Sequence, residues 1–242
     1  MRIIFSRKGF DSSSGGGPSP IVDGRPLSLP IPAGVASATT YGELGFGDHA
    51  SRASRGKLGA EDLCHHDPMF RGDSTCIFGQ VGAAQTHLAN QGVGLGDVFL
   101  FFGLFREEET GEPHHRIYGF LKVERMVHLG ECDEAERSEF SDLHHPHALE
   151  MHGSNDCLYV GPGATAKRAT DTLRLTVPGG PPSLWERPDW LRKGGLSYHD
   201  RDDRWLRGGR LKSVARGQEF VADIGSRKGP RRWLEQILSE MG

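Results

Sequence analysis

No apolar run in the sequence approaches the ~20 residues that a membrane-spanning helix needs. The longest candidate, Val98 to Phe105, fits a buried strand instead. The apolar stretch Ile3 to Phe5 is too short for a secretory signal. These absences set the expectation of a cytoplasmic protein with no membrane partner. Cysteine is scarce. Cys64, Cys76, Cys132 and Cys157 form no CxxC pair, and in a reducing compartment they stay thiols, read as small buried hydrophobes. The GxxxxGK[ST] phosphate loop is missing, as are a Rossmann fingerprint and a HExxH metal motif. There is no internal repeat and no coiled-coil heptad.

Excess charge of one sign is also lacking. A net charge of −3 argues against a general nucleic-acid coat protein. The distribution says more. Residues 1–60 hold seven basic and four acidic side chains, 61–184 hold nine and 19, and 185–242 hold 13 and nine. The ends are basic and the middle is acidic. Ends that met in space would form one anion-attracting face.

What is abundant is glycine, 34 residues, together with 14 prolines. That favours short strands and turns over long helices. A strand at Ile3–Phe5 opens into a polar loop running from Ser6 to Ile21. Residues 22–75 are loop-rich. Asp23-Gly24 marks a hairpin turn, and Pro26, Pro30 and Pro32 bar a long helix, so residues 22–60 are read as a mobile loop layer. A strand start and a helix, Ala83–Asn90, follow. Next come a strand at Val98–Phe105, a charged turn, and a strand at Arg116–Val127. Short strands are expected at Asn155–Val160 and Leu173–Val177. Pro230–Met241 is an amphipathic helix with Trp233, Leu234, Ile237 and Leu238 on one face.

Candidate chemistry starts with the first loop. Its glycines permit the positive φ angles that turn several N–H groups toward one point, and Arg7 and Lys8 add charge, so the loop suits a phosphate. Ser6, Arg7, Ser12, Gly16 and Ser19 are its candidate ligand-binding residues. Lys8 and Asp11 are the groups there most able to move protons. Near the other end, Gln218 can read a base edge through its amide, Glu219 can serve as general base, and His199 joins them as an acid–base candidate. Histidines cluster at His65-His66-Asp67 and at His144, His145, His147 and His152. An HxH pair on a strand would place His145 and His147 on one side, with Cys157 or Asp67 to complete a metal site. No complete metal motif exists, so no ligand set is assigned and the cofactor stays open.

The run Gly79-Gln80-Val81-Gly82-Ala83-Ala84-Gln85, then Gly96-Asp97 before Val98–Phe102, then Tyr118–Val123, resembles the EVE and ASCH domains of the PUA-like superfamily. Those are small β-barrels that bind RNA or modified bases, which implies a PUA-like core around residues 76–130. A wider resemblance spans nearly the whole chain. The segments Ser6–Ile21 and Leu63–Pro68, the His145–His147 triplet, Leu196–His199 and Arg216–Val221 are together similar to the third of the nucleotide-modification-associated domain families. That resemblance implies association with systems that modify DNA bases. It supplies no reaction.

The expected fold is α+β and mainly β: a PUA-like barrel or mixed sheet with a C-terminal helix, residues 1–242 forming one domain. The expected function is binding or processing of a modified nucleotide or base, with DNA as a partner, as part of a bacterial modification system. N-glycosidic cleavage and base-group transfer are the candidate chemistries, and a duplex substrate would have to flip its base. Two other readings stand beside it. One is a non-catalytic reader that clamps a base between Phe101, Phe102 and Tyr118. The other is a histidine-metal hydrolase or nuclease.

Overall fold

The computed structural model describes residues 1–34, 36–107, 111–214 and 219–242. In chain order the elements are β1 (Arg2–Arg7), β2 (Ser19–Val22), β3 (Arg25–Pro26), α1 (Gly47–Ser54), β4 (Met69–Phe70), β5 (Thr75–Gln80), α2 (Gly82–Asn90), β6 (Val98–Glu107) and β7 (His114–Lys122). The order continues with β8 (Arg125–His128), α3 (Glu134–Ser141), α4 (Pro146–Leu149), β9 (Cys157–Thr165), β10 (Leu184–Glu186), β11 (Trp205–Leu206), β12 (Arg210–Lys212), β13 (Glu219–Asp223) and α5 (Lys228–Ser239). Among the described residues, ten strands form one sheet along β13-β1-β6-β7-β9-β5-β4, with β2, β3 and β8 attached off that path. The fold is α+β and mainly β, a sheet curled into a half-barrel with α5 packed on it. No helix among the described residues is long and apolar enough to cross a membrane.

Strand alternation sorts the side chains of this sheet onto two faces. Ile3, Phe5, Leu100, Phe102, Phe220 and Ala222 pack outward with Trp185, Leu234 and Ile237. The predicted apolar face of α5 therefore lands on the convex side, where burying Leu234 and Ile237 is worth about 1.5–3 kcal/mol each. Ile4, Phe78, Phe99, Phe101, Tyr159 and Val221 fill the concave side. Two cross-sheet contacts report the curl. Lys8 Nζ lies 4.3 Å from the Phe78 ring centroid, and Gln80 Nε2 donates to Glu219 Oε1. Each joins strands that are not neighbours in the sheet order.

The predicted turn at Gly96-Asp97 acts as a stitch. Gly96 adopts φ +81°, where an L side chain is strained. Asp97 is buried and accepts the Arg2 N–H at 2.7 Å and the Gly94 N–H at 2.9 Å. Its carbonyl takes the Val123 N–H. One residue thus ties the starts of β1 and β6 to the end of β7.

Several expectations need correction. The strand expected at 116–127 breaks into β7 and β8, because the Val123 N–H turns to Asp97 and the Glu124 N–H to Val160. Residues 173–177 are not a regular strand. A 3-10 turn, Asp171–Leu173, leads into isolated bridges of Arg174 to Arg116 and Thr176 to Trp185. His145 and His147 sit on no strand. Pro146 occupies the first turn of α4, where its missing N–H costs nothing, so His145 precedes the helix and His147 lies within it.

The segment 22–75 has a core of its own, made of Leu29, Tyr41, Ala50 and Cys64 with Phe10. It also contains helix α1, which the prolines at 26, 30 and 32 do not prevent because it starts at Gly47.

Candidate functional site

Strand β1 ends where the Lys8 N–H reaches the Phe102 carbonyl. The chain leaves the sheet edge there and returns as β2, which pairs with β6 further along the same edge. The glycine- and serine-rich loop is that excursion. Its N–H groups do converge, but on its own aspartate. Asp11 Oδ1 accepts the N–H groups of Ser13 and Ser14 and the Ser13 hydroxyl, and Oδ2 accepts from Arg7 at 2.8 Å. Burial alone would raise the Asp11 carboxyl. Its hydrogen bonds to Ser13 and Ser14 and the charge of Arg7 bring it below its ordinary value.

A cleft of about 620 Å³ opens between this loop and a histidine-rich wall. Arg7, Lys8, Asp11, Ser13 and Ser14 line one side; His65, Asp67, Gln80, His147 and His152 line the other. The β4–β5 hairpin aligns Met69 with Ile77, and its register carried outward brings Asp67 beside Gly79, whose N–H donates to Asp67 Oδ1 at 2.8 Å. His65 is held by a backbone bond to Ile31. The loop-rich segment 22–75 is therefore what presents His65 and Asp67. Opposite them, the connection from β8 to β9 folds α3 and α4 over the sheet end. Asp133 caps α3 by accepting the Glu136 N–H. His147 Nδ1 lies 2.6 Å from Asp156 Oδ1, and Asp156 Oδ2 accepts the His152 N–H at 3.0 Å.

The donor atoms of His65, Asp67 and His147 lie within 4.8 Å of one another, as do those of His147, His152 and Asp156. Burial lowers the His65 imidazole to about 4, partly opposed by the charge of Asp67. Burial of Asp67 would raise its carboxyl, yet His145, His147 and Lys8 hold it below the ordinary carboxylate range. His145 Nε2 lies 3.4 Å from Asp67 Oδ1.

Behind the cleft, Glu219 is 1 % exposed and receives Lys8 at 3.3 Å and Gln80 on its Oε1. Its Oε2 has no hydrogen-bond partner among the described residues. The basic ends do meet, since β1 pairs with β13 and Ser6 faces Glu219 in the register.

The other residues singled out from sequence lie elsewhere. Ser6 is fully buried, and Ser19 Oγ accepts the Leu29 N–H. Ser12 is exposed, and Gly16 packs near Ser54. His199 is buried on the convex face against Phe220, one position along from Glu219 and so on the other side of the strand. Gln218 lies outside the described residues. Phe101 and Phe102 are fully buried. Tyr118 is 3 % exposed and lines a smaller cavity of about 280 Å³ with Phe46, His66 and Phe70; Gly9 and Asp67 belong to the walls of both cavities.

Sequence reasoning missed Gln80 and Asp156 as site residues. His147 and His152 stood out only as members of a histidine cluster, His147 also as half of an HxH pair. The signal available was the density of histidine between 144 and 152 next to an aspartate.

A curled, mainly β sheet with a polar cleft at one mouth is thus the setting, and the chain belongs to the family described as nucleotide modification associated domain 3, which matches residues 2–223. No curated relative and no solved structure matches it.

Proposed function

We propose that this protein binds a nucleotide, or a modified base presented by DNA, in the 620 Å³ cleft and acts on it there. The observation that carries the reading is one wall-to-wall arrangement. Lys8 faces Asp67, Gln80, His65, His147 and His152 across a single opening in a chain whose family is associated with nucleotide modification. A cation on one side attracts a phosphate. Imidazoles and a carboxylate on the other can take up and deliver protons. Gathered ionisable groups in a cleft favour turnover over passive reading. The burial of Phe101 and Phe102 removes two of the three aromatics that a base clamp would use.

The roles assigned from sequence shift accordingly. Lys8 keeps the phosphate. Asp11 shapes the loop, and Glu219 positions Lys8 and Gln80. Proton transfer passes to the histidine wall. The adjoining cavity of about 280 Å³, lined by Tyr118, Phe46 and Phe70, shares Gly9 and Asp67 with the cleft, and the base of a nucleotide held at Lys8 would lodge there.

The test is incubation of the protein with mononucleotides and with DNA carrying a panel of modified bases, followed by mass spectrometry. We expect one substrate to be altered or to lose its base. Lys8→Met, checked for an intact thermal transition, should lower that turnover at least ~10-fold, the scale of a lost charge-assisted contact. Retention of one modified DNA without chemical change would replace this reading with a reader. The absence of both turnover and retention would overturn it.

A further inference from the structure

We propose that the histidine wall of the cleft is a binding site for one divalent first-row transition ion, held by His65, Asp67 and His147 with His152 beside them. The ion deepens the functional reading above, and its role in chemistry rests on that reading, although its binding does not.

Three observations converge on the site. The donor set is two imidazoles and one carboxylate with ligand atoms within 4.8 Å of one another. His65 Nε2 and Asp67 Oδ2 are 4.0 Å apart, too far for a hydrogen bond, and a tetrahedral ion with ligands at about 2.0–2.2 Å would draw them together to roughly 3.3–3.6 Å. Imidazole and carboxylate together suit zinc, iron or nickel better than calcium or magnesium, which prefer all-oxygen shells.

The second observation is orientation. Asp156 occupies Nδ1 of His147 at 2.6 Å, which fixes the ring and leaves Nε2 as the nitrogen free to coordinate. A carboxylate behind a ligating histidine is how metal sites set tautomer and basicity. Asp156 is already committed to His147 and to the His152 N–H, so it serves behind the ligands and not among them. Gly79 completes the support. A Cβ there would lie 2.4 Å from the His147 ring, so the ring rests directly on the β5 backbone.

The third observation is unmet bonding. His152 Nε2 is buried with no partner among the described residues. Its ring lies 4.3 Å from that of His147 and 5.6 Å from that of His65. Leaving a buried polar nitrogen unpaired costs about 1–3 kcal/mol, which a ligated cation would recover. Since His65, Asp67, His147 and His152 all line the open cleft, the ion would keep positions free for a substrate oxygen or water, as catalytic sites do and closed structural sites do not.

The experiment uses the full chain, stripped with a chelator and titrated with Co²⁺, followed by visible absorption and calorimetry, with Zn²⁺ as competitor. We expect about one equivalent to bind with ligand-field absorption of a nitrogen- and oxygen-ligated ion. Asp156→Asn should weaken binding about 10–100-fold. His147→Ala and the rim variant His65→Asn should weaken it at least as much, while the exposed His128→Ala should bind like the wild type. Thermal transitions of the stripped proteins show which variants fold. Failure of the wild type to take up Co²⁺ or Zn²⁺ would overturn the proposal. So would unchanged affinity in folded His147→Ala or His65→Asn. Metal uptake without any nucleotide retention would remove the nucleotide reading alone. Nucleotide turnover by stripped protein that binds no metal would remove the ion alone.

Discussion

Lys8 Nζ lies 3.3 Å from Oε1 of Glu219, a residue 211 positions away in the chain. The pair joins the residue after the first strand to the last strand of the large sheet behind the cleft, and Gln80 reaches the same oxygen from β5. A carboxylate this deeply buried depends on its cationic partner. Lys8→Met should therefore destabilise the fold by about 3 kcal/mol, and Lys8→Met with Glu219→Gln should recover much of that loss. Chemical denaturation of the wild type, both single variants and the double variant gives the coupling directly. Strict additivity would show that the two charges do not interact.

The contact between Gly79 and His147 makes a second prediction. Gly79→Ala places a methyl group within 2.4 Å of the imidazole. The ring must move or the backbone of β5 must shift, at a cost of about 1–3 kcal/mol. Co²⁺ affinity and substrate turnover should both fall in this variant while its circular dichroism stays native. A variant that melts lower yet binds Co²⁺ normally would show that the ring's seat on β5 is irrelevant to coordination.

Acid should weaken the fold through His115. The ring is 5 % exposed, and its Nδ1 accepts the Trp185 indole N–H at 3.0 Å. Burial first, and then the charge of Arg7, push its folded-state value down to about 3. The unfolded chain protonates near the ordinary histidine value of ~6.5 while the folded chain does not. Stability from this group is therefore fully present above that value and is lost progressively as pH falls from it toward 3. Between ~6.5 and ~5 the loss comes to about 2 kcal/mol. His114, lowered to about 4, adds in the same direction. Denaturation of chelator-treated protein at pH steps across this window should show a shallower slope for His115→Gln than for the wild type. Equal slopes would place the acid sensitivity elsewhere.

Asp97 tests whether the Gly96-Asp97 motif shapes the fold or touches the ligand. Its carboxylate serves two backbone N–H groups and pairs with Arg2 at 3.4 Å, and it lines neither cavity described above. Asp97→Ala should cost about 1–3 kcal/mol by stranding those donors. Co²⁺ affinity measured well below its melting temperature should be unchanged. A selective loss of metal or nucleotide binding at full stability would assign the motif to the site.

Local pattern carried a good deal of this fold. The apolar run at Val98–Phe105 announced β6, the helical stripe of Trp233, Leu234 and Ile237 announced α5, and Gly96-Asp97 announced the turn before a core strand. Each of these rests on spacing within a few residues, which a sequence displays directly. The break between β7 and β8 was illegible because its cause lies in Asp97 and Val160, not in the residues around Val123. Helix α1 was illegible for another reason: it is only eight residues long and buries Ala50 and Ser54, with no large apolar side chain to mark its inner face.

The residue types of the site were visible, and their assembly was not. The sequence alone determined a glycine-rich exit from β1, basic ends around an acidic middle, two histidine clusters and membership of a nucleotide-modification-associated family. Only the tertiary structure decided that Asp11 spends its carboxylate on its own loop, that His199 faces the wrong side of β13, and that His65 and Asp67 meet His147 and His152 on one wall of a cleft with Asp156 behind them. Those meetings depend on sheet curl and hairpin register, which are set by packing between residues far apart in the chain, where no local spacing records them.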